Sequence, residues 1–282
     1  MKKWHSLLLV IFTLFLVYFT ILPMQVFAET ASVKNTLADE EAITLFTKEI
    51  AVDPQKAEGY FNRGLAYAHK QDYDHAGRDF DKALSINPRY EEAYVQRGIV
   101  YFLQRQHDKA IIDFDKAIAI NPKNYVAYAL RGTAYAYKNA YDKAISDFDQ
   151  AISINPVFAE AYANRGLAYY YKQDYSKAIE DCNKSIAINP LFGKAYSVQG
   201  RVFTERNEFA QAIENFDKAI SLDPTIANNY YYQGTVYEKT DCPQKAVSLY
   251  HTFLNSHPQD DKLIAAAKDR IKTLEDLTPP SN

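Results

Sequence analysis

Seven prolines, Pro54, Pro88, Pro122, Pro156, Pro190, Pro224 and Pro258, stand 34 residues apart. Gly64, Gly98, Gly132, Gly166, Gly200 and Gly234 keep the same spacing, so most of the 11 prolines and nine glycines fall on one lattice. A constant period of this length demands a stack of equal units, each burying its apolar face against its neighbours, rather than one closed core. Other residues run in phase. Tyr60, Tyr94, Tyr128, Tyr162, Tyr196 and Tyr230 precede the glycines by four residues, and Tyr67, Tyr101, Tyr135, Tyr169, Phe203 and Tyr237 follow them by three. Ala76, Ala110, Ala144, Ala178, Ala212 and Ala246 follow by twelve.

Within one unit, Tyr60, Gly64 and Tyr67 lie at i, i+4 and i+7, one face of a helix; Ala76, Phe80, Ala83 and Leu84 continue that period on a second helix. Each unit therefore reads as a helix pair. Glycine inside a helix costs about 1 kcal/mol against alanine, so its sixfold recurrence signals close approach of two backbones. Asp74, Asp108, Asp142 and Ser176 are expected to cap the second helix, and Asn-Pro at 87–88, 121–122, 155–156 and 189–190 to end it.

An aromatic, Gly, aromatic, Ala, aromatic and Pro at these offsets resemble the tetratricopeptide repeat, with six repeats at 57–90, 91–124, 125–158, 159–192, 193–226 and 227–260. The resemblance implies an all-α, right-handed superhelical solenoid that binds a partner protein or peptide and performs no chemistry. The ends read as caps: residues 36–53, with Ala42, Ile43, Phe46 and Ile50 in phase, as an N-terminal capping helix, and 261–277 as a solvating C-terminal helix with an Ile264, Ala267, Ile271, Leu274 stripe. Repeat 6 departs most from the pattern, at Pro243, Leu249 and Phe253.

Residues 1–28 have the layout of a secretory signal peptide: Lys2 and Lys3, an apolar run from Leu7 to Leu22, and the exit Val26-Phe27-Ala28. Cleavage after Ala28 is expected, which would export the chain to the periplasm, cell envelope or exterior. The alternative is an uncleaved membrane anchor over residues 7–22, making the chain a tethered assembly subunit of an envelope complex that uses its convex face.

In the family this sequence resembles, the first helices line a concave groove, and the resemblance places contacts at about the second, fifth, ninth, twelfth and thirteenth residues of each repeat. On this chain the groove candidates become Phe61, Leu65, Val95, Ile99, Phe102, Tyr137, Leu167, Tyr170, Tyr171, Lys194, Arg201 and Tyr231. That surface is apolar and aromatic through repeat 4, then more polar, and it suits a peptide with hydrophobic anchors; some of these side chains could instead bury between adjacent helices. The Lys and Asn pattern with which some relatives clamp a C-terminal carboxylate is absent.

The residue before each glycine is Arg63, Arg97, Arg131 and Arg165, then Gln199 and Gln233; sixteen residues on come Asp79, Asp113, Asp147 and Asp181, then Asn215 and Leu249. Arginine and aspartate vanish together, which predicts a structural ion-pair ladder. Lattice tyrosines are assigned to the core, and the glycines to packing sites inside helices. The net charge of −3 leaves no basic excess for nucleic acid. The six histidines share no lattice position, so no catalytic or metal constellation emerges, and no cofactor or small-molecule substrate is expected. Cys182 reads as a small buried residue in place of the lattice phenylalanine.

Overall fold

The computed structural model describes residues 34–258 and 260–277. The leader reading of residues 1–28, its cleavage after Ala28 and the anchor alternative over 7–22 lie outside the described residues. Among the described residues there are fourteen helices and no strand. Helix α1 (Lys34–Val52) is followed by six pairs: α2 (Ala57–His69) with α3 (Tyr73–Ile86), α4 (Glu91–Leu103) with α5 (His107–Ile120), α6 (Tyr125–Tyr137) with α7 (Tyr141–Ile154), α8 (Ala159–Tyr171) with α9 (Tyr175–Ile188), α10 (Gly193–Glu205) with α11 (Phe209–Leu222), and α12 (Ala227–Lys239) with α13 (Pro243–Asn255). Helix α14 (Asp261–Leu277) closes the stack. No described helix is long and apolar enough to cross a membrane.

In five of the six pairs the lattice glycine meets a fully buried ring from the second helix. A Cβ on Gly98 would stand 2.6 Å from Phe114 Cε1, and on Gly234 2.7 Å from Tyr250 Cε1. Phe80, Phe114, Phe148, Phe216 and Tyr250 hold this place, and Cys182 takes it in repeat 4 with no exposed surface. Repeat 6 thus keeps the shared packing despite its sequence, and Pro243 sits harmlessly in the first turn of α13. Gly77 does not pack as the sequence suggested: a Cβ there meets nothing within 4 Å. Gly98→Ala is therefore expected to cost about 1–3 kcal/mol by overpacking, whereas Gly77→Ala should gain about 0.5–1 kcal/mol by restricting the unfolded chain. Denaturant melts of the two variants check this; equal effects would contradict the role given to the lattice glycines.

The turn inside each pair explains where the second helix begins. Gln71, Arg105, Asn139, Gln173, Asn207 and Asp241 all take positive φ, between 55° and 62°. The following residue returns its N–H to the carbonyl five positions back, as in Asp72 to Tyr67 at 2.9 Å, closing a Schellman turn. That residue is already the helix cap, so the second helix starts two residues earlier than expected. Asp72 and Asp174 cap α3 and α9 through side chains that accept from His75 N–H and Lys177 N–H. Asp74, Asp108, Asp142 and Ser176 are not caps. They lie in the first turn and reach the next repeat, bonded by Gln104 (3.2 Å), Lys138, Lys172 and Arg206 (3.4 Å) respectively. Asn87, Asn121, Asn155 and Asn189 end the second helices as expected.

The ion-pair ladder is present and is longer than the sequence suggested. Arg97 donates from Nε to Asp113 Oδ2 (2.8 Å) and from Nη2 to Oδ1 (2.7 Å), and Arg63, Arg131 and Arg165 grip Asp79, Asp147 and Asp181 in the same two-pronged way. The third nitrogen, Nη1, reaches back one repeat: Arg97 to Asp81 (2.6 Å), Arg131 to Asp115 (2.5 Å), Arg165 to Asp149 (2.6 Å) and Arg63 to Thr47 of α1 (3.2 Å). Each arginine therefore ties two successive second helices together. Where arginine is lost the backward arm survives uncharged or half-charged, with Gln199 donating to Asn183 and Gln233 to Asp217, both at 2.7 Å. Burial pushes the carboxyls of Asp113, Asp147 and Asp181 upward while the facing guanidinium pulls them down.

The lattice tyrosines are half-buried rather than core. Arg63, Arg97, Arg131 and Arg165 lie over Tyr60, Tyr94, Tyr128 and Tyr162 at 5.5–5.8 Å, so each ring seals the edge of a guanidinium that is also ion-paired. At the ends, α1 stands in for a missing second helix, with Ile50 Cγ1 3.0 Å from the place a Cβ on Gly59 would occupy. Ala267, Ile271 and Leu274 of α14 are buried in one cluster with Tyr231, Tyr250 and Phe253, while Ile264 is half-buried.

Candidate functional site

Successive first helices α2, α4, α6, α8, α10 and α12 approach one another, whereas each second helix packs mainly on the first helices flanking it. Elements on the inside of a curved stack come closest, so the first helices line the concave side. The candidates from the sequence all lie on these helices, but they divide by depth. Val95, Phe102 and Tyr231 are buried, at 6–8% exposure, and form the floor between neighbouring helices rather than its surface. Phe61 is half-buried against Phe80 and Tyr90, with ring centroids 5.8 and 4.8 Å away. Leu65, Ile99, Leu167 and Tyr170 are half-buried, and the rings that stand out are Tyr137 at 66% and Tyr171 at 45% exposure.

Around Tyr137 and Tyr171 the groove is aromatic. Phe102 meets Tyr137 edge-on at 5.0 Å, His107 lies 5.5 Å from the same ring, and Tyr141 stacks on Tyr171 at 5.2 Å. Burial holds His107 below its ordinary range, so it is a neutral member of the wall at pH 7. Burial raises the hydroxyls of both Tyr137 and Tyr232, with a minor further push from the charge of Asp260, which precedes α14.

The polar end of the groove is built by repeats 4 to 6. Lys194 donates to Asn164 Oδ1 at 2.5 Å. Burial pushes Lys194 down and Glu160 up, with each partly stabilised by the other's charge. Arg201 projects among three rings, its guanidinium carbon 4.3 Å from the centroid of Tyr170, 4.5 Å from Tyr232 and 5.0 Å from Tyr171. Glu160, Asn164, Tyr232 and Asp260 were not singled out by the sequence. Glu160 shares the repeat's second position with Lys194, and that reversal of charge one period apart was a readable signal.

Family profiles agree with this architecture. The tetratricopeptide repeat matches residues 57–90, 91–124 and 159–192, and the related TPR repeat matches 132–172 and 200–241, together more than half of the chain. The chain belongs to the tetratricopeptide repeat family. Its members are protein-interaction scaffolds, which is the general role this fold supports. Among solved structures, this repeat protein is similar to MamA, at 29% identity and a TM-score of 0.51 over 58% of this chain and 96% of that one. A tetratricopeptide repeat protein from Parabacteroides merdae ATCC 43184 shares the fold at 17% identity and a TM-score of 0.71, covering 86% of this chain and 93% of its own. The APC/C hetero-tetramer Cut9-Hcn1 shares it at 17% identity and a TM-score of 0.73 over 84% of this chain, which spans only 46% of that longer chain. No curated protein sequence matches.

Proposed function

We propose that this tetratricopeptide repeat protein is an exported, non-catalytic scaffold that holds an extended segment of a partner protein in its concave groove. The observation that carries the reading is the pair of exposed rings, Tyr137 and Tyr171, standing on a wall of buried and half-buried aromatics on the inner face. Large exposed aromatics set in a concavity are costly in water and are the usual anchors of a peptide site. The N-terminal apolar run supports export, with the mature chain beginning at Glu29.

Tyr137→Glu with Tyr171→Glu alters the exposed rings, whereas a charge at Phe102 would strike the buried floor. The double variant is expected to stay folded and to lose proteins that the wild type captures from native envelope extract. Intact mass of the cell-derived protein should give a start at Glu29. Unchanged capture would move the site off the groove, and a retained leader with membrane pelleting would favour the tethered subunit.

A further inference from the structure

Arg201 differs from the ladder arginines in one respect that matters chemically. Arg63, Arg97, Arg131 and Arg165 each place Nε and Nη2 on the two oxygens of one aspartate. Among the described residues no carboxylate lies within ion-pair distance of Arg201, and its Nε is buried without a hydrogen-bond partner. The rings around it supply a cation–π environment but no negative charge, and the guanidinium stays charged. Lys194, the other cation of this patch, already faces Glu160. Arg201 is therefore the cation of this patch that no carboxylate pairs. Glu205 receives the Tyr170 hydroxyl at 3.4 Å, is exposed, and forms no ion pair with Arg201.

We propose that Arg201 is a recognition site for one Asp or Glu side chain of the partner segment, gripped through the guanidinium fork between Tyr170, Tyr171 and Tyr232. The inference rests on the groove reading above and adds to it the chemistry of the ligand. Within the same molecule the ladder shows what satisfies this fork: a carboxylate placed edge-on. Tyr171 is the most exposed of the three rings, so the approach to the guanidinium runs past it. Desolvation makes such a contact selective, because an amide or hydroxyl in its place leaves the buried charge without a counter-ion. The partner segment would pair this acidic residue with an apolar or aromatic side chain that reaches Tyr137.

The test is selection of a random twelve-residue peptide library on the full chain, followed by titration of the best binder. Selected peptides are expected to share an Asp or Glu at a fixed distance from an aromatic or aliphatic anchor. Arg201→Gln should weaken that peptide about tenfold or more, and changing the peptide's acid to its amide should weaken it equally for wild type but add nothing for Arg201→Gln. Arg201→Lys, which keeps the charge but loses the fork, should recover only part of the affinity. Circular dichroism of each variant separates binding from folding. Binders with no acidic residue, or with affinity indifferent to Arg201, would overturn the inference while leaving groove binding intact. A library that yields binders only to the outer face, or none, would overturn both.

Discussion

Arg97→Gln is expected to destabilise the protein by about 3–5 kcal/mol, because it strands the Asp113 carboxylate in a buried site. Asp113 is 3% exposed, and both of its oxygens are held by Arg97. Asp81, the other partner, is exposed and can turn to water, so the loss falls on Asp113. Adding Asp113→Asn should recover much of the loss, giving a coupling of about 1–3 kcal/mol in the double-mutant cycle. The protein already carries a version of this double change: repeat 5 has Gln199 and Asn215 at the same positions and retains the backward bond to Asn183. Additive losses in urea melts would show that the two side chains do not act as a pair, and the ladder would lose its structural role.

Asn229→Ala should move stability the other way, by about 1–3 kcal/mol, the desolvation cost of polar groups left unbonded. Asn229 is fully buried, and neither its Nδ2 nor its Oδ1 has a partner. Repeats 2 to 5 place Ala93, Ala127, Ala161 and Ala195 there, so the helix contact accommodates a methyl without strain. A rise in the melting midpoint is the expected result. A fall would mean that the amide is satisfied by bound water and contributes to the junction between repeats 5 and 6.

Much of the fold is legible in the sequence because the lattice repeats six times, and each recurrence restricts the same contact. Gly64 and Phe80, or Gly98 and Phe114, meet because the same pair of residue types returns every 34 positions. The ladder was visible for the same reason, through the joint loss of arginine and aspartate in repeats 5 and 6. Its backward arm to Asp81, Asp115 and Asp149 lay on the lattice too, but the signal there was partial: aspartate gives way to Asn183 opposite Gln199 yet remains as Asp217 opposite Gln233. Helix starts were misplaced by two residues because a left-handed turn residue, normally glycine, is here Gln71, Arg105 or Gln173, and nothing marks it.

The groove was harder to read because depth depends on how far each first helix rotates past the next, which a lattice position does not encode. Phe102 and Tyr170 share the twelfth position, yet Phe102 is buried beneath Tyr137 while Tyr170 is half-buried beside Arg201. The Arg201 cluster joins residues 170, 201 and 232, spaced 31 apart along a diagonal of the inner face rather than 34 apart along a row. Such diagonals appear only once the helices are packed.

The central claim is that the inner face holds the partner. It is tested most directly by placing a photo-activated cross-linking residue at Tyr137 or Tyr171, and as a control at Ile112, which is 57% exposed on second helix α5. After irradiation of living cells, the account predicts covalent adducts of one discrete mass from Tyr137 and Tyr171 and none from Ile112. Adducts from Ile112 with none from the two tyrosines would contradict it and place the partner on the outer face.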